Sequence, residues 1–232
     1  MKILALESSA KSASVAICED DKLICQYWQN SGLTHSRTLL KMCEGVLQDS
    51  GITMQDIDVV AVSKGPGSFT GIRIGVAAAK GLAWTDDKPL CGVSSLEAMA
   101  WPLADRENFV ICPVMDARLK QVYNAKFLAQ QGSLQRICDD RAVALDVLAE
   151  EISADGRMHL FVGDGAELCY AALKDKMENI AIAPQALRFQ NAYGVALASG
   201  GKVPEKADDV VPEYLRLSQA ERERNARLNE SR

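Results

Sequence analysis

Histidine is nearly missing from this chain, with two among 232 residues. His35 is followed four positions on by Leu39, so the H-x-x-x-H pair of a metal-binding helix is not formed, and His159 opens a strand-like stretch far away. Metal sites need clustered donors. No metal ligand is therefore assigned, and a Ser-His-Asp arrangement for acyl transfer has little to be built from. The seven cysteines, Cys18, Cys25, Cys43, Cys91, Cys112, Cys138 and Cys169, stand singly, odd in number and without a C-x-x-C pair. That spacing speaks against a redox or metal role and predicts buried, reduced thiols. Aromatic residues make up 6%, which leaves few platforms for stacking bases. Positive charge is also short: 26 Lys and Arg against 31 Asp and Glu leave a net charge of −5. A surface that neutralises phosphates on its own is not expected, so any nucleic acid would be held mainly by another subunit. No apolar run reaches the roughly 18 residues of a bilayer span, and the apolar start at residues 3–6 meets Glu7 too early for a signal peptide. The expectation is a soluble, cytoplasmic protein.

Hydrophobic residues, at 48%, are enough for a large core or two lobes. Residues 3–9, 12–17 and 22–28 predict three short strands in a meander, separated by polar turns. Thr34 is placed to cap a helix that stops at Ser50-Gly51, and an apolar, β-branched strand over 58–63 leads through Gly65-Pro66-Gly67 into a second helix ending near Trp84. A strand over 90–93 and a Ser94-capped helix broken at Pro102 follow. The plan then recurs. Strands are predicted over 109–115, 121–129 and 134–138, the last two joined by a hairpin turn at 130–133; then a helix over 144–152, a strand over 159–162, a helix over 166–176, a strand over 180–183 and a helix over 188–199. Each half reads strand, strand, strand, helix, strand, helix. This is an α/β chain with a duplicated βββαβα unit, the plan of actin-like (ribonuclease H-like) proteins rather than of a simple βαβ repeat. The lobes are expected at residues 1–105 and 106–215, with a charged tail of mixed sign over 216–232, read as a solvated helix or frayed end.

Residues 65–75, GPGSFTGIRIG, leave a strand and enter a helix. Glycines open to unusual backbone angles and a helix N-terminus make an anion site reasonable there, although no P-loop spacing is present. Along the helix, Gly71, Gly75 and Ala79 fall on one face and permit another helix to approach. Phe69, Ile72, Ile74, Val76, Ala78 and Leu82 make it apolar nearly all round, so it must be covered on both sides. In the preceding helix, Leu39, Leu40, Met42, Cys43, Val46 and Leu47 span an apolar arc of about 160°, wider than a one-sided surface helix needs. One face of each helix is expected on the lobe's sheet and the other in a subunit interface.

With the N-terminal strand-turn-strand, the segment DARLKQVY at 116–123 and PEYLR at 212–216, the string GPGSFTGIRIG resembles the TsaB family over essentially the whole chain. The resemblance implies a non-catalytic scaffold in the machinery that makes N6-threonylcarbamoyladenosine in tRNA. It implies docking to a catalytic actin-like subunit, TsaD, a small ATPase, TsaE, joining the assembly, tRNA reached through the complex, and a homodimer when the partner is absent. The docking face would comprise His35, Leu39, Met42, Cys43 and Val46 on the first helix, with Thr70, Gly71, Ile74, Gly75, Ala78, Ala79 and Leu82 on the second. Actin-like enzymes bind phosphates with two strand-turn-strand loops led by aspartate. Here the first reads Glu7-Ser8-Ser9 and the second Asp116-Ala117-Arg118, while Gly163 and Gly165 flank the position of an adenosine loop. The glutamate and the bulky arginine make these vestigial, so no catalytic residue is assigned, and ATP or ADP is expected only at an interface of the complex. An ATP-dependent small-molecule kinase, or a metalloprotease-like relative without its metal site, is the alternative.

Overall fold

The structure is a computed structural model and describes residues 1–217. The expected tail lies outside the described residues from position 218 onward. Near-continuous apolar runs in β1 (Lys2–Glu7), β2 (Ala13–Glu19) and β4 (Val59–Gly65) are buried along almost their entire length, as strands covered on both faces must be. β2 pairs antiparallel with β1 and with β3 (Lys22–Gln29), β4 runs parallel to β1, and β5 (Leu90–Ser94) parallel to β4, giving the order β3-β2-β1-β4-β5. On one face, Leu4, Leu6, Val15, Ile17, Val60 and Val62 pack beneath two helices, α1 (His35–Ser50) and α2 (Phe69–Thr85). Helix α1 ends at Gly51, whose φ of 66° supplies the left-handed C-cap that Ser50-Gly51 predicts; Thr34 occupies the N-cap position but its side chain makes no capping bond.

The second half repeats this topology. After α3 (Ser95–Ala100), the strands β6 (Phe109–Asp116), β7 (Gln121–Gln130) and β8 (Ser133–Ala144) form a meander. Helix α4 (Leu145–Asp155), β9 (Met158–Val162), α5 (Ala166–Leu173) and β10 (Ile180–Ile182) complete a sheet of order β10-β9-β6-β7-β8. Two short helices follow, α6 (Gln185–Arg188) and α7 (Ala192–Ser199). The sequence predicts one helix over 188–199; Phe189 is instead extended, and Asn191 starts α7 afresh by accepting the Gly194 N–H at 2.9 Å. Strand β8 runs six residues past its expected end at Cys138, because Arg141 in its polar extension is held by Glu151 of α4 and by Asn124 of β7.

The lobes exchange cover. Helix α7 supplies Ala192, Val195, Ala196 and Ala198 to the face of the first sheet formed by Ile3, Ala5, Ala16 and Ala61. Helix α3, encoded before residue 105, places Leu96, Met99 and Ala100 against Ile111, Phe127 and Leu160 of the second sheet. All seven cysteines are free thiols, five of them buried.

Helix α2 lies differently from the sequence-based expectation. Gly71, Gly75 and Ala79 are buried; what approaches Gly71 and Gly75 is the chain's own turn after β1, and Ala79 lies in the core of the lobe. A Cβ on Gly71 would stand 2.2 Å from the Ser8 carbonyl oxygen, and one on Gly75 would stand 2.3 Å from Ser8 Oγ. The Ser8 hydroxyl donates to the Gly71 carbonyl at 2.9 Å. Leu39, Met42, Cys43 and Val46 of α1 are likewise at most 8% exposed within the chain. These seven residues belong to the lobe's own packing, which a periodicity argument does not distinguish from a helix–helix contact. At Gly71, alanine meets backbone that cannot yield, and Gly71→Ala is expected to lower stability by about 2 kcal/mol. Gly81 on the same helix faces open space, so Gly81→Ala is expected to raise it by about 0.5–1 kcal/mol. Urea titrations of the two variants check the pair, and equal effects would contradict this placement of α2.

Candidate functional site

The turns that follow the first strand of each sheet face one another across a cleft between the lobes. A cavity of about 470 Å³ lies there, lined by Ser9, Lys11 and Ser68 on one side, Asp116, Arg118 and Asp164 on the other, and Tyr214 and Arg216 at its mouth. The structure thus brings together both candidate phosphate loops. It also shows why the segments packed beside them carry glycines. Gly67, at φ 155°, would place a Cβ 2.3 Å from the Ser9 carbonyl, and the Ser68 N–H donates to that carbonyl at 2.6 Å. In the second lobe, Gly163, at φ 107°, would place a Cβ 2.2 Å from the Val114 carbonyl, which accepts the Gly165 N–H at 3.1 Å. The first glycine turn is clamped onto the turn after β1 and the second onto β6.

This clamping uses donors that an anion would need. Ser68 N–H is taken by Ser9, and Ser68 Oγ caps α2 by accepting from Gly71 N–H. Glu7, the leading residue of the first loop, is fully buried and turned into its own turn, where one carboxyl oxygen accepts the Ser9 N–H at 2.5 Å. Its other oxygen has no partner among the described residues. Burial pushes the Glu7 carboxyl up from its ordinary value, and the charge of Asp164 across the cleft adds to the rise, against hydrogen bonds from Ser9 that lower it. Asp164 is raised too, first by burial and also by Asp116, while Gln190 Nε2 holds one of its oxygens at 3.0 Å. Asp116 turns back to accept the Arg118 N–H at 2.7 Å, and the residues after it, Arg118, Leu119 and Lys120, all adopt left-handed backbone angles. These groups do not fit a magnesium nucleotide held between the two turns. No carboxylate of the first loop reaches outward, and the first loop abuts Gly67 without a gap. Among the described residues no group of three or more His, Cys, Asp or Glu is placed to hold a metal ion.

The second candidate surface lies on the outer side of α1 and α2. Thr70 is exposed there, Ile74, Ala78 and Leu82 are half-buried, and they pack with Leu47 at the margin of the core. Leu40 is 55% exposed and Trp84 84%. His35 is half-buried, with Nε2 2.7 Å from the Ala10 carbonyl. The periodicity that identified both helices as doubly apolar is therefore accounted for mostly by burial within the chain, leaving Leu40, Ile74, Ala78 and Leu82 as the groove between them.

A Bacillus subtilis (strain 168) protein named tRNA threonylcarbamoyladenosine biosynthesis protein TsaB is 35% identical over 225 residues, spanning 95% of this chain and 96% of that one. The chain belongs to the TsaB family. The Escherichia coli (strain K12) TsaB is also 35% identical, over 136 residues and 58% of each chain. A family model described as TsaD, tRNA N6-adenosine threonylcarbamoyltransferase, matches residues 30–223, and a transferase of that name from Streptococcus agalactiae is 36% identical over 110 residues, a third (33%) of its length. Among solved structures, YeaZ from Pseudomonas aeruginosa superposes with a TM-score of 0.76 at 24% identity, over 92% of this chain and 99% of that one. The (R)-2-hydroxyglutaryl-CoA dehydratase component A of Acidaminococcus fermentans follows with a TM-score of 0.50 at 12% identity, over 86% and 96%. The two five-stranded mixed sheets are those of the actin-like fold.

For this TsaB-family chain, the Glu7 arrangement has a definite pH signature. Its folded-state pKa lies above the unfolded value, so the protonated carboxyl favours folding at low pH, and that contribution is lost as pH rises through the folded value. Glu7→Gln keeps an acceptor for the Ser9 N–H without a charge. The variant is expected to match the parent in thermal midpoint at pH 4 and to exceed it at pH 8; a constant difference across that range would show that Glu7 titrates normally.

Proposed function

We propose that this chain is a non-catalytic scaffold subunit in the biosynthesis of N6-threonylcarbamoyladenosine in tRNA, and that it docks a TsaD-type transferase through the groove between α1 and α2. The observation that carries the proposal is this half-covered apolar groove, bordered by Leu40 and by the small residues Ala77, Ala78 and Gly81 of α2, on a chain whose relatives bear the name of that pathway. Small residues let a partner helix approach closely, and exposed apolar groups at such a margin are the usual mark of an interface. The partial similarity to transferases favours a partner with matching helices, packed in pseudo-twofold fashion, and a homodimer through the same groove that would compete with it. A TsaE-type ATPase and tRNA would join through the assembled complex, and any ATP or ADP would bind at one of its interfaces. The buried Glu7 and the clamped loops support a role without phosphoryl transfer, as against the small-molecule kinase reading.

Ala78→Arg tests the docking face. It is expected to weaken association with a purified TsaD-type transferase by about 100-fold, the weight of a central interface residue, with the free chain still folded, as read by light scattering and titration calorimetry. Undiminished binding would remove the groove from the interface. Deleting the gene and finding the modified nucleoside still present by mass spectrometry would overturn the tRNA role itself.

A further inference from the structure

The chain between Val211 and Leu217 has no regular secondary structure, yet it is held at both ends by side chains from different lobes. At its start, Glu213 N–H donates to the Lys64 carbonyl at 2.7 Å and its carboxylate meets Lys64 Nζ at 2.8 Å. Its backbone lies so close to β4 that a Cβ on Gly65 would stand 2.2 Å from the Glu213 carbonyl oxygen. Tyr214 then stacks on Phe69 in the first turn of α2, with ring centroids 4.5 Å apart and planes inclined by 28°. Arg73, one turn further on, lies 3.9 Å above the Phe69 ring and donates from Nε to the Tyr214 hydroxyl at 2.8 Å. Two residues later the segment has crossed to the other lobe, where Arg216 Nη1 donates to the Ala117 carbonyl at 2.5 Å and lies 3.4 Å from that of Arg118. Those carbonyls belong to the turn between β6 and β7.

We propose that residues 213–216 are an interlobe clasp, which sets the width of the cleft by tying the N-terminal turn of α2 to the β6–β7 turn. The two anchors differ in chemistry. The first is an aromatic and cation–π stack, which resists sliding through its contact area; the second is a charge-assisted pair of hydrogen bonds to main-chain carbonyls in a turn whose residues 118–120 already hold left-handed angles. Two residues, Tyr214 and Leu215, separate Glu213 from Arg216, too few to absorb a change in lobe angle by slack, since an extended residue spans about 3.3 Å. Opening the cleft must therefore break one anchor. The proposal concerns the isolated chain and stands independently of what docks on α2.

Amide hydrogen exchange on the full chain tests it through the anchor that a substitution does not touch. Arg216→Ala is expected to speed exchange across residues 69–73 by about fivefold, the weight of one hydrogen bond in an opening equilibrium. Tyr214→Ala is expected to speed it by a similar factor across residues 117–121. Acceleration confined to the residues that each side chain touches would overturn the clasp and leave two unrelated surface contacts. Tyr214→Phe and Arg216→Lys, which keep the ring and the charge, cover the case in which either alanine variant fails to fold: the same reciprocal pattern at smaller amplitude supports the clasp, and purely local change overturns it.

Discussion

Backbone meets backbone where α2 crosses the turn after β1, and no side chain fits between Ser8 and Gly71. Much else follows from that approach. It fixes the height of α2 over the first sheet, which brings Ile72 and Val76 down onto Val60 and Val62 and turns the helix's small-residue flank outward. It also draws the preceding loop against Ser9, so that the Ser68 N–H finds a carbonyl partner. A helix seated this low has little freedom to tilt.

The cleft between the two sheets gathers charged groups whose orientation is set by local hydrogen bonds. Its carboxyl groups come from both lobes, but Glu7 is folded into its own turn, Asp116 caps its own turn, and Asp164 is held by Gln190. Each has one oxygen held by local backbone or by an amide. Burial first, and to a lesser degree the neighbouring carboxyl charges, keep Glu7 and Asp164 above their ordinary pKa values.

The duplicated unit was legible in the sequence because its signals are local. Apolar runs, the Gly51 stop and the Ser94 cap each act within a few residues, and the structure places elements where they point. The position of α2 was legible only in part. Gly71, Gly75 and Ala79 announce that something comes close, while periodicity is silent on whether that is another chain or Ser8. The break between α6 and α7 was missed because Phe189 and Gln190 interrupt an apolar pattern without Gly or Pro, and only the Asn191 side chain marks the restart. Tyr214 and Arg216 could be recognised as part of a family string, but their partners are more than ninety residues away in sequence, beyond the reach of any pattern in a window.

The exchange of α3 and α7 between lobes bears on how the chain is made. One face of the first sheet, with Ile3, Ala5, Ala16 and Ala61, is covered by residues 192–198, so it stays bare while most of the protein is still being synthesised. That face of the early sheet cannot close until the late helix has emerged. The order of synthesis and the order of burial are thereby opposed on that face of the sheet.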